Sequence, residues 1–197
     1  MADPRDLPLF AFEDALRRHR RQRRKLRRRG LALALGVAAL GVTIVFPPRA
    51  RLVWNASASV PIGLYWVGPA RTLVPGDLVV AWLPGPARKL AAERRYLPSN
   101  VPAIKQVAAV TGMRICGVGT SLTIDGRTVA RRLKADRFGR AMLQWKGCRT
   151  LAKGELLLLN PASPASFDGR YFGPSRTADV VGTAHPIWSW SAAETGS

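Results

Sequence analysis

Histidine is almost missing from this chain. His19 and His185 are the only two in 197 residues. They lie far apart, and with Cys116 and Cys148, the only cysteines, they make no ligand cluster of the kind a zinc site needs. The scarcity of imidazole also limits any serine-based hydrolysis, because His185 alone could act as a histidine base in the body of the chain. Acid is scarce too: 12 Asp and Glu stand against 31 Lys and Arg, for a net charge of +19. An excess of that size points to an anionic partner, nucleic acid or a membrane surface. A hydrophobic content of 47% excludes a disordered basic tail protein, and the lack of repeated long apolar runs excludes a multi-span membrane protein. The length suits about one domain. No zinc-finger spacing, helix-turn-helix signature or aromatic RNA-binding motif is present, so no specific nucleic acid is expected as partner.

What is present is concentrated at the N-terminus. Ten of the thirteen residues from Arg17 to Arg29 are Lys or Arg, and the uncharged run LALALGVAALGVTIVF, Leu31–Phe46, follows directly. A helix of that length rises roughly 24 Å, slightly short of the ~30 Å hydrocarbon core. Gly30 and Pro47-Pro48 extend the uncharged stretch, and arginine stems can snorkel at both ends. The run is apolar all round, which favours a membrane span over a buried core helix. Dense arginine before it places the N-terminus in the cytoplasm. No small-x-small cleavage site lies just beyond Phe46, so an uncleaved signal anchor fits better than a removable signal peptide. The expected organisation is a basic cytoplasmic tail over 1–29, a transmembrane anchor over 30–48 and an exported domain over 49–197. Lipid of the inner membrane is then the first partner, and the arginine run reads as a topology signal. An exported body is also where Cys116 and Cys148 could persist as a disulfide. Two separate buried thiols are the alternative.

Most apolar runs of the body are short, β-rich and bounded by Gly, Pro, Asn or Asp. Strands are expected at Leu64–Val67, Leu78–Trp82, Ile104–Val110, Arg114–Val118, Glu155–Leu159 and Asp179–Thr183. Asp125-Gly126, within Leu122–Ala130, supplies a type I′ hairpin turn. One helix is expected at Ala87–Arg95. The fold class is mostly β with one short helix, behind the single N-terminal transmembrane helix.

Without a nearby histidine, a serine nucleophile needs another base, and a lysine serves when burial depresses its pKa. Asn55–Trp66 reads NASASVPIGLYW. Pro61 fixes the backbone two residues after Ser59 and Gly63 permits a bend, so Ser59 can be presented at a surface with its own N–H free as an oxyanion donor. Lys105 lies in VPAIKQVAAV, among Ile104, Val107 and Val110 and away from other charges. A strand lysine pointing to water is the competing reading.

SVPIGLYW, PGDLVVAW (Pro75–Trp82), RRYLPSNVPAIKQVAAV (Arg94–Val110) and SFDGRYFGPS (Ser166–Ser175) closely resemble, in order, the TraF family of conjugal-transfer maturation peptidases, relatives of bacterial signal peptidase I. The resemblance runs from about Asn55 to Pro186. It implies a signal peptidase-like β fold and a membrane-anchored serine protease with a Ser-Lys dyad, facing the periplasm. Ser59 matches the nucleophile and Lys105 the general base; Ser57, with Ser59 N–H, matches the oxyanion hole. Asp168 and Arg170 match supporting acidic and basic positions, for which a plain loop ion pair is the alternative. Gly169 stands where relatives usually have a serine, which leaves Ser166 as the candidate support for Lys105. A second departure is Val110-Thr-Gly-Met-Arg114, where relatives usually have Gly-Asp. The implied partners are an exported precursor, a conjugative prepilin foremost, and the conjugation machinery, and no cofactor or metal is implied. A general signal peptidase and a catalytically silent periplasmic scaffold are the other two readings.

Overall fold

The computed structural model describes residues 8–45 and 51–190. The chain divides into two units, Met1–Arg49 and Ala50–Ser197. The first contains one helix, α1 (Pro8–Val45), which joins the arginine run and the apolar run in 38 continuous residues. Its Leu31, Leu33, Leu35, Val37 and Leu40 are exposed. Among the described residues no helix is long and apolar enough to cross a membrane. The last residues of the expected span, Phe46-Pro47-Pro48, lie outside the described residues.

The second unit is built of β1 (Leu52–Asn55), β2 (Ile62–Gly68), β3 (Leu78–Ala81), α2 (Gly85–Glu93), β4 (Ala103–Ala109), β5 (Arg114–Val118), β6 (Ser121–Ile124), β7 (Arg127–Arg131), β8 (Gly147–Thr150), β9 (Glu155–Leu159), the one-turn helix α3 (Gly169–Phe172), β10 (Ser175–Arg176) and β11 (Val180–Trp190). The strands form a seven-stranded sheet in the order β1-β2-β11-β3-β4-β9-β10 and a four-stranded sheet in the order β7-β6-β5-β8. Every pairing is antiparallel.

The unbroken run Leu156–Leu159 in β9 is explained by burial on both faces. Leu157 and Leu159 pack with Ile115, Leu122 and Ile124 of the smaller sheet. Leu156 and Leu158 pack on the other side with Val79, Ala81 and Val107. Period-2 alternation thus sends consecutive leucines into two cores, and β9 with its neighbour β4 becomes the most protected part of the fold. The catalytic candidate Lys105 is carried on β4.

The hairpin turn forms as expected: Asp125 and Gly126 take φ values of 46° and 81°, the left-handed pair a type I′ turn requires. Three features depart from expectation. β11 extends seven residues past Thr183, because a register shift between Pro186 and Trp188 accommodates the proline that would otherwise interrupt a ladder. A second helix, α3, exists because Asp168 caps it, its side chain accepting from Arg170 N. Gly63 makes no bend. It lies inside β2, where a Cβ would come within 2.1 Å of the Trp188 carbonyl oxygen, so its role is to let β11 approach.

Cys116 of β5 and Cys148 of β8 face each other in register and are joined, with Cα atoms 4.0 Å apart and a sequence separation of 32. β8 is an edge strand exposed along its length, so burial contributes little to holding it and the covalent bond holds it instead. Replacing both cysteines by serine is expected to lower stability by about 3–4 kcal/mol on the loop-entropy account. Denaturant unfolding of the oxidised parent and the double variant checks this. Equal midpoints would show that the bond contributes nothing.

Candidate active site

Ser57 and Ser59 sit in the loop between β1 and β2, and the anchor of that loop is Asn55, which the sequence reading passed over. Its buried side chain donates from Nδ2 to the carbonyls of Ser57 (2.8 Å), Pro61 (3.0 Å) and Val60 (3.2 Å), and its Oδ1 accepts from Ser57 N (3.1 Å). Tyr65 adds a fifth tie by donating to the Pro61 carbonyl at 2.6 Å. One side chain thereby replaces the regular backbone pairing that a six-residue loop lacks. The signal in the sequence was an asparagine ending a strand two residues before the first serine, an Asx-turn position. Within this frame Ser57 Oγ and Ser59 Oγ are 2.9 Å apart, and Ser59 N donates to Ser57 Oγ at 3.3 Å.

Lys105 does not point to water. It is 5% exposed, and its Nζ donates to Ser166 Oγ at 2.7 Å. Burial pushes its ammonium down from 10.5 to about 8, with Asp168 working against the shift and Arg170 with it. Those two residues form a closed pair with each other. Arg170 Nε donates to Asp168 Oδ1 at 2.8 Å and Nη2 to Oδ2 at 3.0 Å, a two-pronged geometry that suits carboxylate recognition. Both residues are essentially inaccessible. The arginine also reaches the carbonyls of Asn160 (2.8 Å), Pro164 (3.3 Å) and Arg131 (3.3 Å). A buried pair with its remaining donors satisfied in this way avoids the penalty of a lone buried charge.

Asn160 is the second residue that the sequence reading missed. Its Oδ1 accepts from Gln106 N at 3.2 Å and its Nδ2 donates to the Ile104 carbonyl at 3.3 Å, so it grips β4 on either side of Lys105. Its own N–H donates to Asp168 Oδ2 at 2.9 Å. The ion pair and the lysine strand are therefore fastened through one asparagine. No local motif marks it, because the contact is made 54 residues away from Gln106.

Gly169 has a steric reason. A Cβ there would lie 2.8 Å from both Leu157 Cδ1 and the Leu158 carbonyl, leaving no room for a serine. Ser166, three residues earlier and buried, supplies the hydroxyl to Lys105. His185 is on the exposed part of β11, against the Trp66 ring and Thr183 Oγ1, and takes no part in this cluster.

Ser57, Ser59, Lys105 and Ser166 line one groove of about 660 Å³, whose walls include Trp54, Leu83, Leu97, Ile104 and Phe167. Lys105 gives its hydrogen bond to Ser166, while Ser59 pairs with Ser57. Chemically, the groove offers a hydroxyl, a lysine of lowered basicity and a paired donor set in a partly apolar channel.

The lysine carries a stability signature independent of any activity. Between pH 8 and 10.5 the unfolded chain binds a proton at this lysine that the folded chain has released, so folding stability rises with pH across that window. Below pH 8 the folded state bears the whole cost of the buried ammonium. Lys105→Met is therefore expected to stabilise the protein by roughly 2–3 kcal/mol at pH 7, after allowing for the unpaired Ser166 hydroxyl. The advantage should vanish as the pH approaches 10.5. Denaturant unfolding of both proteins across this range provides the check, and an advantage that does not change with pH would refute it.

The sequence also matches known proteins. The signal peptidase, peptidase S26, family pattern matches residues 27–190. The chain is similar to the plasmid transfer protein TraF of Escherichia coli, 29% identical over 171 residues that cover 81% of this chain and 94% of that one. It is 32% identical to a probable conjugal transfer protein TraF of Sinorhizobium fredii, over 84% of this chain and 94% of that one. With the conjugal transfer protein TraF of Agrobacterium fabrum it shares 32% identity, over 83% and 98% of the two chains. A signal peptidase I structure from Enterococcus faecalis aligns at 16% identity and a TM-score of 0.35, covering 58% of this chain and 97% of that one, a likeness too loose to argue from. On the extent of the sequence matches, the chain belongs to the signal peptidase family, peptidase S26, and to its TraF-type members.

Proposed function

We propose that this protein is a serine endopeptidase of the conjugation apparatus that cuts an exported precursor, such as a conjugative pilin, with Ser59 as nucleophile and Lys105 as general base. The single observation that supports this most strongly is the burial of Lys105 in the groove that also presents Ser59. A lysine with a pKa near 8 is neutral in a useful fraction at physiological pH, and an ordinary lysine is not.

In this reading Ser59 Oγ attacks the scissile carbonyl carbon and Lys105 Nζ takes the hydroxyl proton. The tetrahedral oxyanion would receive hydrogen bonds from the Ser57 hydroxyl and from Ser59 N–H, which would have to leave the Ser57 Oγ that it contacts in the free protein. Collapse breaks the C–N bond, and the protonated lysine returns its proton to the leaving amine. Water then resolves the acyl-enzyme to a free carboxylate; attack by the substrate's own N-terminal amine would instead give a cyclic product. Ser166 holds Nζ in place through both protonation states, and the Asp168–Arg170 pair holds the loop that carries Ser166. The names of the TraF relatives favour a dedicated conjugation maturase over a general signal peptidase.

Residues 30–48 would anchor the enzyme as a single pass in the bacterial inner membrane. Arg17–Arg29 would stay on the cytoplasmic side and the peptidase domain would lie in the periplasm. The apolar side chains exposed along α1 would then be covered by lipid.

With a matched prepilin as substrate, Ser59→Ala and Lys105→Ala should each lower the rate by at least about a thousandfold. The parent's rate should climb with pH to a plateau with a midpoint near 8. Asn55→Ala should reduce kcat by roughly ten- to a hundredfold with a smaller change in KM, since its main work is to hold the serine loop. Gel and mass-spectrometric assay of the product reads all three. Cleavage by the serine and lysine variants at the parent's rate would sink the enzyme reading.

A further inference from the structure

The groove carries charges that the catalytic scheme leaves without a role. Its lining also includes Arg95, Asp136 and Arg137. Asp136, the only carboxylate lining the groove among the described residues, is already spent on its own loop. Its Oδ1 accepts from the N–H groups of Phe138 and Arg140, both at 2.9 Å, and its Oδ2 accepts from Arg140 Nε at 2.7 Å and from the Tyr96 hydroxyl. Burial alone would raise the Asp136 carboxyl, but these bonds hold it well below the usual carboxylate range.

Arg95 and Arg137 are exposed, and neither forms an ion pair among the described residues. Arg137 lies over the Phe138 ring at 4.7 Å, which steadies the side chain and leaves its charge uncompensated. Arg95 occupies an unusual backbone position. It follows the end of α2 with φ 59°, where Arg95 N donates to Ala92 O and Tyr96 N to Ala91 O. Those two bonds define a Schellman cap, and glycine is the residue such a left-handed position favours. An arginine there is not what helix termination selects, and strain kept beside a functional groove points to a use for the side chain.

We propose that Arg95 and Arg137 make this groove select a peptide carrying a carboxylate, on an acidic side chain or at a chain end, near the bond that is cut. This rests on the groove being the substrate site, as proposed above, and names the class of substrate. Two uncompensated guanidinium groups at the groove wall raise the local concentration of an acidic segment and hold it by charge-assisted hydrogen bonds. A matching basic residue in the substrate meets repulsion instead, so the same pair supplies both halves of a specificity.

The test uses the full-length protein in detergent and a series of peptides with small residues at the scissile bond. A single Glu, or its neutral match Gln, is walked through the flanking positions. The parent should prefer Glu at one or two positions by about fivefold in kcat/KM, and the preference should shrink as salt is raised. In Arg95→Gly/Arg137→Gln the preference should fall to near unity. The glycine is the residue that the cap favours, so a fold defect would not account for the loss. The same peptides bound to the Ser59→Ala protein, read by fluorescence polarisation, should show the same preference and the same loss. If no peptide is cut, the enzyme reading fails while this binding measurement still decides the present one. Equal Glu and Gln affinity at every position, or a preference untouched by the double substitution, would overturn it. So would an unchanged preference accompanied by lost binding to phosphatidylglycerol vesicles, which would assign the arginines to lipid.

Discussion

A lysine ammonium shut away from water is the constraint on which the rest of this site depends. Left alone, a charge at that depth is among the costliest things a fold can contain, and it responds by giving up its proton more readily. The surroundings of Lys105 keep that tendency without making the residue simply neutral or simply paired. A carboxylate aimed at Nζ would stabilise the charge and restore the ordinary basicity. Here the carboxylate that acts on the lysine among the described residues, Asp168, is occupied by Arg170 on two sides, and Nζ is given a hydroxyl. The ion pair therefore has two effects at once: it orders the loop bearing Ser166, and it withholds a counter-ion from the lysine.

The scaffold supports that arrangement with few parts. β4 and β9 lie between two hydrophobic clusters, so the strand carrying Lys105 has little freedom to move. Asn160 directly follows β9 and uses its side chain to hold both peptide groups beside the lysine, and through its backbone it ties them to Asp168 and Arg170. Asn55 does the corresponding work for the serine loop. Two buried asparagines thus position the two halves of the site. An amide side chain suits the task, because it donates and accepts at once and carries no charge into a region already crowded with cations.

Legibility in the sequence followed the range of the interactions. The strands β5 and β9 and the Asp125-Gly126 hairpin are set by local alternation and turn chemistry, and they stand where their residues suggested. Ser59 and Lys105 stood out as candidates through the backbone-restricting residues around the serine and the isolation of one lysine among apolar residues, and Ser57 through the family resemblance. Asn160 was not, since its partners come from β4, far along the chain. β8 was invisible for a different reason: its four residues bury nothing, and a disulfide with a strand-to-strand register holds them, which no hydrophobic pattern records. The far end of β11 was hidden by Pro186, because a bulge can absorb a proline in a way that propensity alone does not foresee.

The scarcity of histidine acquires its meaning from this chemistry. In the proposed mechanism a chain with one histidine in its body, tilted against a tryptophan and outside the groove lining, obtains a base near neutrality by tuning a lysine through its surroundings. The most direct measurement is therefore the titration of Lys105 itself, by NMR of protein labelled at the lysine side chain, with Lys105→Arg used to assign the signal. A midpoint near pH 8 is predicted for this lysine, well below the ordinary value for a lysine side chain. A midpoint for Lys105 at that ordinary value would contradict it.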